Sequence, residues 1–232
     1  MEIIFTSLRW VHVAAGAIAF ICGPIAILNQ NGGTVHRRSG MAYFLSMLFI
    51  VATALILSVS KGNWFLLMIA IFTLYLISTG FRALRLKKLG KGQHPAGIDW
   101  LIWGLAILAS AGLLGLAVKL LVFDGNNFGM VPGTFGFIMA RGIVKDYLRF
   151  TRGYKEKIDW LKLHIGYMMG GYIATITAFL VQNVHLQPGW LVWLGPTIIF
   201  MPVLIYTIRK FDGKVKAGQP LKLEIGGTET EL

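Results

Sequence analysis

Seven apolar stretches of about 20 residues run through this chain, at 10–28, 41–60, 64–84, 100–123, 128–148, 161–184 and 190–208. An α-helix rises about 1.5 Å per residue, so each stretch covers a hydrocarbon core about 30 Å thick. Lipid offers no partner to a backbone N–H or C=O, and a segment of this length satisfies its own groups only as a helix. The expected fold is therefore all-α: an integral membrane bundle of seven transmembrane helices over 1–212, followed by a polar cytosolic tail over 213–232. With 56% hydrophobic and 14% charged residues in 232, little sequence is left for a second domain.

The charges set the orientation. Arg37 and Arg38 lie in the first connector, Arg82 to Lys91 hold five basic residues in the third, Lys145 to Lys162 hold six around the fifth, and Arg209 to Lys222 hold five in the tail. The opposite connectors carry only Arg9, Lys61 and Lys119. Basic connectors stay in the cytoplasm, which places the N-terminus outside and the C-terminus inside, as in a multi-pass protein of the bacterial inner (cytoplasmic) membrane. The net charge of +12 is then a footprint of topology and of attraction to anionic headgroups. Membrane lipids are the expected partners, and nucleic acid is not. No basic n-region opens the chain, so the first span is expected to be retained. Cys22 lies within a span and has no second cysteine to pair with.

Span five is the least regular. Gly129, Pro132, Gly133, Gly136 and Gly142 interrupt it, and Arg141 lies one or two turns from its cytosolic end. A broken or re-entrant helix is tolerated only beside protein or a water-filled cavity, so this span is expected to be interior or to line a cavity. Ile98-Asp99-Trp100-Leu101 and Ile158-Asp159-Trp160-Leu161 open spans four and six; an acidic first turn and an interfacial tryptophan explain both, a repeated hairpin being the other reading. Gly166, Gly170 and Gly171 form a small-residue seam for helix contact, and a homo-oligomer stays open. The tail is expected to lack regular structure beyond Leu223.

Of five histidines, His36, His94 and His164 each stand near the start of a helix running from inside to outside, at one cytosolic level. Imidazole suits zinc, copper and haem iron, so the three form a candidate site for a transition metal or haem b, with Asp99 and Asp159 at a depth to orient them. His12, just inside the outer boundary, reads as an axial haem ligand, a proton relay, or a hydrogen-bond partner of a neighbouring helix. His185 lies about 31 Å along the helix from His164, in the outer loop, which argues against a second haem. Arg141 either snorkels to the cytosolic interface or turns inward to Asp99, Asp159 or an anionic group such as a haem propionate. Span seven has no lysine for a retinal Schiff base, and the chain has neither a phosphate-binding glycine loop nor a hydrolase serine elbow.

Three segments together resemble an uncharacterised bacterial family of multi-pass membrane proteins, a domain of unknown function. They are His12-Val13-Ala14-Ala15-Gly16 with Gly23-Pro24, then His36-Arg37-Arg38-Ser39-Gly40 with Tyr43, and the basic stretch leading to His94. The likeness covers about the first half of the chain and implies no established activity. Relatives open the fourth span with a His-Arg-Arg-Trp-Met-like sequence where this chain has His94-Pro95-Ala96-Gly97. A looser similarity, a histidine in span one and an H-R-x-x-G helix start, is to cytochrome b561-type membrane cytochromes, by analogy alone. The expected function is a histidine-ligated haem or metal site near the cytosolic face, serving electron transfer or metal-dependent membrane chemistry. The alternative is a small-solute transporter with a cavity lined by a broken fifth helix. The residues leave open whether the protein is an enzyme.

Overall fold

A computed structural model describes residues 2–29, 32–217, 222–225 and 228–231. Its helices are α1 (Glu2–Leu28), α2 (Thr34–Ser60), α3 (Trp64–Ala83), α4 (Gly97–Val118), α5 (Met130–Arg152), α6 (Asp159–Asn183) and α7 (Trp190–Lys216). The membrane body is all-α. All of these helices except α5 are long and apolar enough to cross a membrane. A π-helical turn, Lys119–Phe123, continues α4, and a 3₁₀ turn, Asn127–Gly129, leads into α5. α2 begins several residues before its apolar run, because Thr34 to Gly40 continue the helix beyond the hydrocarbon level.

α5 has the length, 23 residues, but carries the charges of Arg141, Lys145, Asp146, Arg149 and Arg152. Val131, Phe135, Met139, Ile143 and Asp146 are buried at helical spacing, whereas Phe137, Arg141, Val144 and Tyr147 face outward. The break expected from its glycines and proline is not found. Pro132 falls in the first turn, where its missing N–H had no intrahelical partner to lose. The glycines instead let neighbours approach: a Cβ on Gly136 would sit 2.9 Å from Leu114, and one on Gly142 would sit 2.6 Å from the Tyr75 hydroxyl.

α3 is the hub, packing against α2, α4, α5 and α6, while α1 pairs with α2, α4 with α5 and α6 with α7. One apolar cluster joins Phe72 and Leu76 of α3 to Leu113 of α4 and Phe135 and Met139 of α5. A second joins Ala19 of α1 and Tyr43, Met47 and Val51 of α2 to Ile77 of α3. The two Ile-Asp-Trp-Leu starts share their capping chemistry. Asp99 accepts from the Ala96 N–H, and Asp159 accepts from the N–H groups of Lys155 and Glu156. Their tryptophans diverge, Trp100 being exposed and Trp160 buried. In the tail, β1 (Lys222–Ile225) pairs antiparallel with β2 (Thr228–Glu231), so the expected loss of structure beyond Leu223 does not hold there.

Candidate functional site

The basic connectors end at one pole of the bundle, and there the starts of α2 and α6 meet the ends of α1 and α3. His36 Nδ1–H donates to the Ala26 carbonyl at 2.9 Å, and His164 Nδ1–H donates to the Gly80 carbonyl at 2.9 Å. A carbonyl can only accept, so each neutral ring carries its proton on Nδ1 and keeps a lone pair on Nε2. The two rings meet edge to face with centroids 6.2 Å apart.

Glycines make this approach feasible. A Cβ on Gly80 would come within 3.0 Å of Met168, and one on Gly23 would overlap the Tyr172 ring at 2.4 Å. Both side chains are on α6, so these two positions let that helix close on α3 and α1.

His36 and His164 line a cavity of about 930 Å³. Its walls are mainly apolar and aromatic, with Tyr43, Phe81, Trp160, Met168 and Tyr172 prominent, and Arg37, Arg38 and Lys87 add the positive charge. Lys87 lies over the Trp160 ring, 4.5 Å from its centroid, and burial holds its ammonium pKa below the ordinary lysine value. Tyr43 is buried in the cavity wall. No residue of α5 lines this cavity.

The other candidates lie elsewhere. His94 is exposed in the α3–α4 connector, and among the described residues no group of three His, Cys, Asp or Glu side chains is placed to hold a metal ion. His12 Nδ1 lies 2.8 Å from the Thr53 hydroxyl, which itself donates to the Phe49 carbonyl and so accepts from the imidazole. That bond ties α1 to α2. Neither aspartate orients a histidine. Asp99 is gripped by Arg82 through two 2.7 Å bonds, and Asp159 holds its own loop and lies 3.7 Å from Lys162. Arg141 is exposed on α5, and the ion-pair partners of Asp99 and Asp159 are Arg82 and Lys162.

A second polar constellation escaped the sequence reading. Asp146 on α5 is 1% exposed and accepts from the Tyr75 hydroxyl at 2.6 Å and the Tyr167 hydroxyl at 3.2 Å, the two hydroxyls lying 2.8 Å apart. Arg149, one turn along α5, pairs with the same carboxylate and lies over the Tyr167 ring. The available signal was one acid among the basic residues that close the fifth apolar stretch.

Comparison of the chain with protein-family models, curated proteins and solved structures found no match.

Proposed function

We propose that the cavity at the basic pole holds haem b between His36 and His164, and that the protein carries electrons in the membrane. The observation that carries this reading is the pair of imidazoles, each fixed by Nδ1–H to a backbone carbonyl and each lining one large apolar cavity. Such anchoring sets the tautomer and raises the basicity of a ligating histidine. A protein-held zinc ion needs three or four side chains, and among the described residues no third metal-binding side chain joins the pair. Haem iron arrives with four nitrogens of its own and asks the protein for axial ligands only. The two ring centroids are 6.2 Å apart, so both imidazoles would hold the same group. The apolar walls suit a macrocycle, and Arg37, Arg38 and Lys87 suit its carboxylates. Bound there, haem would supply one-electron chemistry.

The basic residues support the accompanying topology: seven spans with α5 included, N-terminus outside and C-terminus cytosolic, in a bacterial inner membrane. The 23 residues of α5 reach about 34 Å, and its charges lie toward the basic pole. A C-terminal reporter fusion active only in the cytosol tests this directly.

Detergent-purified protein made with ample haem precursor should show a Soret band and about one haem per chain by pyridine haemochrome assay. A flat spectrum would overturn the reading.

A further inference from the structure

The cavity at the basic pole is open along one side. The helix pairs α1–α2 and α6–α7 are joined through α3 and through an α1–α6 contact. At that contact the Tyr172 hydroxyl donates to the Phe20 carbonyl at 3.2 Å, and the Tyr172 ring packs on Gly23, closing the end of the cavity away from the pole. Nearer the pole the cavity is lined by α2 and by Thr207 and Phe211 of α7, two helices that belong to different pairs.

α2 supplies the open edge. Thr34, Arg37, Arg38, Met41 and Leu45 all line the cavity and are all exposed. Their spacing places them on one stripe of the helix. Met41 and Leu45, 44% and 48% exposed, therefore mark a mouth that faces outward from the bundle. The stripe changes chemistry along its length: Arg37 and Arg38 precede the apolar run of α2, and Met41 and Leu45 lie within it, Leu45 about 12 Å along the axis from Arg37. Among the described residues no carboxylate lines the cavity. The complement of such a stripe is an anionic head followed by an apolar tail.

We propose that the stripe binds one anionic phospholipid from the leaflet at the basic pole. Its phosphate lies against Arg37 and Arg38, and an acyl chain runs over Met41 and Leu45, closing the side of the cavity that the protein leaves open. Guanidinium groups suit a phosphate because they present paired donors to its oxygens and keep their charge. The site goes beyond the haem reading and does not rest on it. His36 and His164, bonded to the Ala26 and Gly80 carbonyls, take no part in it.

Quenching by brominated lipids tests it on the full chain. Leu45→Trp places a fluorophore on the stripe, and Val144→Trp places one at an exposed position of α5 beside Arg141 and Lys145. Each haem-free protein is reconstituted in phosphatidylcholine vesicles containing brominated phosphatidylglycerol or, in parallel, brominated phosphatidylcholine, and quenching is read against the parent chain. A basic residue at the headgroup level favours an anionic lipid by about fivefold. Half-quenching of Leu45→Trp should therefore need at least about fivefold less brominated phosphatidylglycerol than brominated phosphatidylcholine. Adding Arg37→Gln and Arg38→Gln should bring the two lipids to parity. Equal quenching at Leu45→Trp overturns the proposal, as does a preference that survives loss of both arginines. The same preference at Val144→Trp also overturns it, since attraction would then belong to the basic pole as a whole. Because the protein carries no haem in this assay, a missing Soret band leaves each outcome unchanged.

Discussion

His36 and His164 sit on different helices, and each hands its Nδ1 proton to a carbonyl of yet another helix, Ala26 of α1 and Gly80 of α3. Four helices thus fix two imidazoles, and neither ring depends on the other for its orientation. Replacing either with Ala should therefore abolish haem loading, while the partner ring stays in place. Loss of even an outer hydrogen-bond partner costs about 10–100-fold in metal affinity, so loss of a ligand should exceed that. His94→Ala and His12→Ala should retain the Soret band, since His94 is exposed in a connector and His12 is bonded to Thr53. Titration of apo variants with haemin, read by absorbance, checks all four.

The Asp146 carboxylate is a buried charge with Arg149, Tyr75 and Tyr167 around it. Asp146→Ala strips Arg149 of its partner and leaves the Tyr75 and Tyr167 hydroxyls only their bond to each other. The expected loss is about 3–5 kcal/mol, the range for breaking a buried ion pair from one side. Tyr75→Phe removes the 2.6 Å bond to Asp146 and the 2.8 Å bond to Tyr167 and should cost about 1–3 kcal/mol. Equilibrium unfolding in mixed detergent measures both, and a double variant should show strong non-additivity because the residues share one network.

Gly142 is what lets α5 reach that network. Its absent Cβ would lie 2.6 Å from the Tyr75 hydroxyl and 2.9 Å from that of Tyr167. Gly142→Ala should destabilise by about 1–3 kcal/mol, the usual cost of overpacking. Gly104→Ala on α4 meets nothing within 4 Å and should be neutral or stabilising through helix propensity. Paired unfolding curves of the two variants separate packing from propensity.

Local periodicity carried the helices and contact geometry did not travel with it. Apolar length located each span, and the capping roles of Asp99 and Asp159 were legible because a helix start is a local event. Gly136 and Gly142 looked like breaks, since one strand of sequence cannot show whether a glycine bends its own helix or admits a neighbour. The His36 and His164 pairing rests on their shared depth, which was readable, but His94 shares that depth and lies apart because rotation about a helix axis and loop path are tertiary properties. Asp146 was hidden by Lys145 and Arg149 around it, whose charges read as topology although one of them is its partner.

Lys87 gives the cavity a signature in pH. Burial lowers its pKa, so the folded protein binds fewer protons at this site than the unfolded chain does. Its contribution to stability therefore rises with pH, from the depressed folded value up to the ordinary lysine pKa of about 10.4, and is lost as pH falls through the folded value. Lys87→Met keeps an unbranched side chain over Trp160 and removes the titration. Across pH 7 to about 10.4 the ligand-free wild type should gain Tm relative to this variant. A carboxylated ligand in the cavity would supply the ammonium with a partner and reverse that slope, because a raised pKa confers stability that is lost as pH rises. Thermal unfolding of both proteins with and without haemin reads the sign in each case, and a wild-type slope indifferent to haemin would place its carboxylates away from Lys87.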